Sequence, residues 1–139
     1  PATRRVADFI GVMNFLPARV SDGPGGAVAE VAGLGRIELP AAQISRASVD
    51  DPGPSVGFRP ESMTLLSEGQ AAQDREATGI IDEVVYYGDM TYYDIRLDGA
   101  APDARPVRIA MRNVFGRDVR DVGTRARIGW APGGVVLFR

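Results

Sequence analysis

Apolar and polar residues alternate along most of this chain in short runs that Gly and Pro interrupt, a period-2 pattern that predicts β-strands. In MTYYDIRL (90–97), Thr91, Tyr93, Ile95 and Leu97 share one face, while Tyr92, Asp94 and Arg96 take the other. The segment DGAAPDARP turns the chain, and VRIAM then places Val107, Ile109 and Met111 inward and Arg108 outward. RARIGW puts Ala126, Ile128 and Trp130 inside, and GVVLFR ends the chain. The 17 Gly and 10 Pro residues supply turns enough for about ten strands. One short helix is expected near the start, with Thr3 as its cap, RRVADFI as its body and Gly11 as its end. SDGPGG (21–26) and ASVDDPGPS (47–55) are predicted turns or loops, and SEGQAAQDREAT (67–78) is polar without a stripe, as a linker would be.

IGVMNFLPARV (10–20) fits this pattern imperfectly. With Leu16, Ala18 and Val20 inward, Phe15 projects from the opposite face. An outward aromatic is either a packing irregularity or a contact with something beyond the strand.

The two halves resemble each other. A shift of 77 brings Gly11 onto Gly88, Met13 onto Met90, Phe15 onto Tyr92, Arg19 onto Arg96 and Val20 onto Leu97, with the inward positions in phase. A shift of 72 then brings RIEL (36–39) onto RIAM (108–111), VGF (56–58) onto IGW (128–130) and Pro60 onto Pro132. A one-residue slip would invert every side chain, so agreement in phase carries more weight than any single match. The reading is all-β: an OB-fold-like barrel or sandwich built from two duplicated short β modules, with one short N-terminal helix. The expected units are a junction helix at 1–11, a first OB-like half at 12–66, a linker at 67–78 and a second half at 79–139.

Composition narrows the chemistry. All 16 basic residues are Arg, and Lys, His and Cys do not occur. This excludes a phosphate-loop lysine, a Schiff base, a Ser-His-Asp triad, a thiol nucleophile, a disulfide and an ordinary zinc site. The net charge of −2, with Arg scattered along the chain, argues against a nucleic-acid partner. Asp50 and Asp51 precede Pro-Gly-Pro and read as turn residues. DGPGG has neither the Lys nor the following helix of a phosphate cradle. Glu83, Asp89, Asp94 and Asp98 do not have the spacing of a Ca²⁺ loop, and they read as solvated carboxylates. Tyr86, Tyr87, Tyr92 and Tyr93 would form a stacking platform but for their acidic neighbours.

VGFRPES (56–62) stands apart. Pro60 stops a strand because it lacks an N–H, and Arg59 and Glu61 flank it. The second half keeps the Gly and Pro but has Ala131 and Gly133 where the charges were. The added charges point to a local salt bridge, a partner-domain contact or ligand binding specific to the first half.

PATRRVADFIGVMNFLPARV, VGFRPES and EVVYYGDMTYYDIRL, in this order, resemble the C-terminal region of ATP-binding subunits of bacterial ABC importers, the transport-associated OB (TOBE) domain of the spermidine/putrescine or maltose type. The resemblance implies a non-catalytic regulatory and dimerisation domain. No cofactor belongs to it; ATP and Mg would bind an ATPase domain upstream of Pro1, which the non-Met start suggests. The implied partners are a second copy, its own ATPase domain and, indirectly, the importer's membrane subunits, at the cytoplasmic face of the bacterial inner membrane. A polyamine or iron is the implied cargo. The family motifs map onto Gly11, Asn14 and Phe15, onto Gly57, Arg59, Pro60 and Glu61, and onto Gly88. Asn14, Phe15, Arg59, Glu61 and Tyr92 are candidate interface or regulatory residues, and Gly11, Gly57, Pro60 and Gly88 are candidate structural ones. The alternative is a stand-alone binder of small ligands or oxyanions.

Overall fold

The computed structural model describes residues 13–45, 54–67, 69–71, 75–115 and 119–138. The helix expected at 1–11, with Gly11, lies outside the described residues, as does most of the loop at 47–55.

Alternation becomes strand wherever it was expected. β1 (Asn14–Pro17) and β2 (Arg19–Gly23) are one chain segment bent at Ala18, where Pro17 breaks the ladder and the Ala18 N–H turns aside to the Pro54 carbonyl. β3 (Gly26–Val31) and β4 (Gly35–Pro40) follow as hairpins. The β2–β3 turn places Pro24 before Gly25, whose φ of +76° fits a type II turn. β5 (Ile44–Ser45), β6 (Ser55–Phe58) and β7 (Met63–Leu65) complete the first half. The second half holds β8 (Arg75–Tyr87), β9 (Met90–Leu97), β10 (Val107–Arg112), β11 (Arg125–Trp130) and β12 (Val136–Phe138). β8 begins at Arg75, within the stretch read as a linker.

The strands form sheets ordered β1-β6-β12-β5, β10-β9-β8-β11-β7 and β2-β3-β4. Taking β1 and β2 as one bent strand, the first half runs β4-β3-β2/β1-β6-β12 and the second β10-β9-β8-β11-β7. The two orders match over these five strands, with β12 and β7 each contributed by the other half, and β5 pairs in parallel beyond β12. The exchange keeps register: Ile128 faces Leu65 and Gly129 faces Thr64, while at a shift of 72 Val56 faces Leu137 and Gly57 faces Val136. The equivalent strands β6 and β11 are each followed by a Pro-led 3-10 turn, Pro60–Ser62 and Pro132–Gly134. The five-stranded sheet nearly closes into a barrel, since the Thr64 hydroxyl and the Leu65 N–H both reach the Met111 sulfur at 3.4 Å.

Topology corrects the 77-residue alignment. Phe15 faces Gly57 on β6, and the residue facing the equivalent Gly129 is Glu76 on β8. The counterpart of β1/β2 is therefore β8, not β9, and Tyr92 is not the repeat partner of Phe15. Both alignments keep the period of 2, so alternation alone could not separate them.

One core joins the halves. Leu16, Val56, Phe58, Ile81, Ile95, Ile109, Ile128, Trp130 and Leu137 belong to a single buried cluster. The inward residues expected on β9, β10 and β11 are buried or, for Met111, partly buried against that core.

Candidate functional site

The candidate residues fall mostly along the seam where the first half meets the outer side of β9 and β10. Asn14 is only 8% exposed. Its side-chain Oδ1 accepts from the Arg108 N–H at 2.6 Å, and its Nδ2 donates to the Arg108 carbonyl at 2.8 Å. One amide side chain thus takes the donor and the acceptor that a neighbouring strand would take, on β10 at the end of its sheet. The Arg108 guanidinium turns to Asp94, its register partner on β9, and donates from Nε at 2.8 Å and Nη2 at 3.2 Å. This fork holds Asp94, which is 8% exposed rather than the solvated carboxylate that alternation implied.

Tyr92, a candidate interface residue on the outer face of β9, is 6% exposed. The 3-10 turn at Pro60–Ser62 packs against neighbouring β10. Burial pushes the Tyr92 phenol above its ordinary range, and the nearby charges of Glu61 and Asp89, with the Tyr87 phenol, push it further. The turn is held by the Ser62 N–H donating to the Arg59 carbonyl at 2.9 Å. Pro60 is buried while Arg59 and Glu61 are exposed. No ion pair joins Arg59 to Glu61 among the described residues, so the charges flanking Pro60 face solvent rather than each other.

Phe15 does lie on an outer face, 39% exposed. Its ring meets Phe138 of β12 edge-on, with centroids 5.6 Å apart. Both rings lie over Gly57, where a Cβ would come within 2.8 Å of Phe138 Cε2, 3.1 Å of Phe15 Cε1 and 3.2 Å of Met13 Cε. Gly57 is thus required for close approach, and Phe15 is partly a contact between the halves. Beside it a cleft of about 460 Å³ is lined by Met13–Leu16 and Arg105–Arg108.

Gly88 sits away from this seam, in the β8–β9 turn with φ of +60°. There Asn113 fastens the hairpin tip: its N–H donates to the Asp89 carbonyl at 2.7 Å, and its side chain bonds the Thr91 hydroxyl at 2.5 Å. Tyr86 and Tyr87 are exposed while Tyr92 and Tyr93 are buried, so the four do not form one platform. Asp98 is held by the Thr78 hydroxyl and by Arg125, away from the Asp94 fork. No group of acidic side chains able to hold a metal ion occurs among the described residues.

Sequence reading missed Arg108, Asp94 and Phe138. Phe138 carries no local signal, because it meets a residue of the other half, as does the Arg108 backbone through Asn14. Asp94 carried one: it faces Arg108 in the register that the VRIAM and MTYYDIRL hairpin imposes.

The sequence profile of the TOBE domain matches residues 56–138, more than half of the chain. This chain belongs to the TOBE domain family. The TOBE domain described here is 37% identical over 100 residues to a spermidine/putrescine import ATP-binding protein PotA of Nitrosomonas eutropha, covering 70% of this chain and 27% of that protein. It is 30% identical over 139 residues to the protein of the same name from Thermobifida fusca, covering 95% of this chain and 33% of the relative. It therefore spans about a quarter to a third of the length of these relatives. Among solved structures it is similar to the cytoplasmic molybdate-binding protein ModG, with a TM-score of 0.61 and 13% identity over 90% of this chain and 94% of ModG. That likeness shows the OB-like fold. No helix among the described residues is long and apolar enough to cross a membrane.

Proposed function

We propose that this TOBE domain is the non-catalytic regulatory and dimerisation module of an ABC-importer ATP-binding subunit of the polyamine type. One observation carries the reading: 95% of the chain aligns with a third of a spermidine/putrescine import ATP-binding protein, leaving two thirds of such a subunit for ATP and Mg. The chain's own residue types agree, since it has no Lys, His or Cys with which to build a phosphate loop or a nucleophilic site. In this reading the domain pairs with a second copy, contacts its own ATPase domain and acts at the cytoplasmic face of the membrane, beside the importer's membrane subunits. Phe15, Arg59 and Glu61 are the exposed candidates for those contacts, while Asn14 and Tyr92 hold the surface in shape. The rival reading, a stand-alone oxyanion binder, has only the fold likeness to ModG behind it.

The test compares the intact ATP-binding subunit with the same subunit truncated before this chain. Truncation is expected to leave ATP binding in place and to lose subunit pairing between hydrolysis cycles. Unchanged pairing after truncation would remove the basis of the proposal.

A further inference from the structure

The two halves treat one equivalent strand edge differently. β4 and β10 are counterparts at a shift of 72, and each ends its sheet. The edge of β10 is covered: Asn14 takes the N–H and carbonyl of Arg108, the Pro60–Ser62 turn packs on the strand, and Met111 reaches β7. The edge of β4 lacks such a cover. Among the described residues no strand pairs with β4 on the side away from β3.

Two bonds fix which groups that edge presents. The Ala41 N–H turns back toward the β3 side, to the Gly25 carbonyl at 3.1 Å. The Arg36 carbonyl points the other way, to Nη1 of Arg75 at 3.0 Å. Main-chain groups alternate sides along an antiparallel strand. Ile37 and Leu39 therefore bond β3, while Arg36, Glu38 and Pro40 face off the sheet. Pro40 suits that place because it has no N–H to leave unpaired. Arg75 is the counterpart of Asn14, since Glu76 and Phe15 hold equivalent places. An amide side chain donates and accepts, whereas a guanidinium only donates. Arg75 can thus serve the Arg36 carbonyl but not its N–H. That N–H and both main-chain groups of Glu38 are left for a strand.

The side chains along this edge carry a charge pattern. Arg36 and Glu38 are exposed, and neither forms an ion pair among the described residues. Arg19, Glu30 and Arg36 lie in register across β2, β3 and β4, so their signs alternate and the next strand calls for an acid. Opposite Glu38 it calls for a base. Between them Ile37 points into the core at 1% exposure, which calls for an apolar residue.

We propose that the free edge of β4 docks an extended segment of another protein, added antiparallel as a further strand. Its basic residue faces Glu38, its apolar residue Ile37 and its acidic residue Arg36, with Arg75 as a second guanidinium near the acid. A second copy of β4 has the same basic–apolar–acidic order. It would also bring its own Arg75 and barrel wall into the same gap, so a lone extended segment fits better. The inference stands apart from the transport reading, since it uses only the edge.

The test titrates the isotope-labelled whole chain with the peptide acetyl-Thr-Arg-Val-Glu-Thr-amide and follows amide shifts by NMR. Analogues with Arg-Val-Arg and Glu-Val-Glu centres serve as comparisons. The mixed-charge peptide is expected to move the Arg36 and Glu38 amides saturably, and those of Ile37 and Leu39 less. It should bind at least about three-fold tighter than either analogue. Arg36→Glu should transfer the preference to the Arg-Val-Arg peptide. Glu38→Pro removes an edge donor without touching the β3 ladder, and should weaken binding about ten-fold. Unchanged amide shifts of Ala27 and Ala29, which face Leu39 and Ile37, identify a variant that keeps the ladder; if Glu38→Pro fails that check, Arg36→Glu carries the test. The proposal is overturned by no saturation below about 10 mM, by equal binding of the three peptides, or by an unaltered preference in Arg36→Glu. Movement of the Arg36 and Glu38 amides with protein concentration alone would also overturn it, because the edge would then belong to a second copy.

Discussion

Replacing Asn14 by Ala removes both hydrogen bonds that tie β1 to β10, at 2.6 and 2.8 Å. Two backbone groups of Arg108 then lose their partner at a place where Asn14 is 8% exposed. Each net bond is worth about 1 kcal/mol, and a buried group left unpaired costs about 1–3 kcal/mol. The expected loss is therefore about 2–4 kcal/mol, a large part of the roughly 5–15 kcal/mol that holds a domain together. Urea unfolding followed by tryptophan fluorescence measures it, with Trp130 the sole Trp. Amide exchange at Arg108 locates it. Asn14→Asp sharpens the reasoning. An ionised carboxylate still accepts from the Arg108 N–H but sets its second oxygen against the Arg108 carbonyl. The protonated acid restores a donor and mimics the amide. The folded-state pKa of the introduced carboxyl is therefore raised, so this variant's deficit is least below the ordinary carboxylate range near pH 4 and grows as pH rises through the folded value. A cost for Asn14→Ala below about 0.5 kcal/mol, or unchanged exchange at Arg108, would refute the argument that this side chain substitutes for a strand.

Three further outcomes are expected. Gly26→Ala would place a Cβ 2.0 Å from the Leu39 carbonyl oxygen, and should cost more than about 3 kcal/mol in urea unfolding because backbone must move. Phe15→Ser should lose about 1–2 kcal/mol of stability, and a double-mutant cycle with Phe138→Ala should return a coupling of about 0.5–1.5 kcal/mol; additive losses would disconnect the rings. Hydrogen bonding from Arg127 lowers the Glu76 pKa, and Thr78 with Arg125 lowers that of Asp98. Their stabilisation is present above the unfolded values near pH 4 and is lost as pH falls through the folded values, so Glu76→Gln should flatten the urea midpoint between about pH 2 and 5.

The β class and the inward faces were legible because a period of 2 sorts side chains whatever the strands later pair with. The shift of 72 was legible down to register, since VGF and IGW end equivalent strands whose partners β12 and β7 are exchanged in step. What alternation does not encode is whether the second face of a strand is covered. Asp94 was read as a solvated carboxylate, yet it is 8% exposed and held by Arg108. Phase alone also misassigned the repeat partner of β1, though not the outward side of Phe15. Pro17 splits the β1/β2 segment, and a split strand matches β9 in phase as well as it matches β8. Of the candidate site, Gly57 and Gly88 were readable from their context, whereas the Asn14–Arg108 clasp spans 94 positions and shows only in the fold.

The most direct test of the central claim is the mass of the isolated TOBE domain in solution from about 1 μM to about 1 mM, by sedimentation equilibrium. Reversible self-association to a dimer is the expected result, weakened by Phe15→Ser beyond its effect on folding. A strict monomer across the whole range would contradict the pairing role.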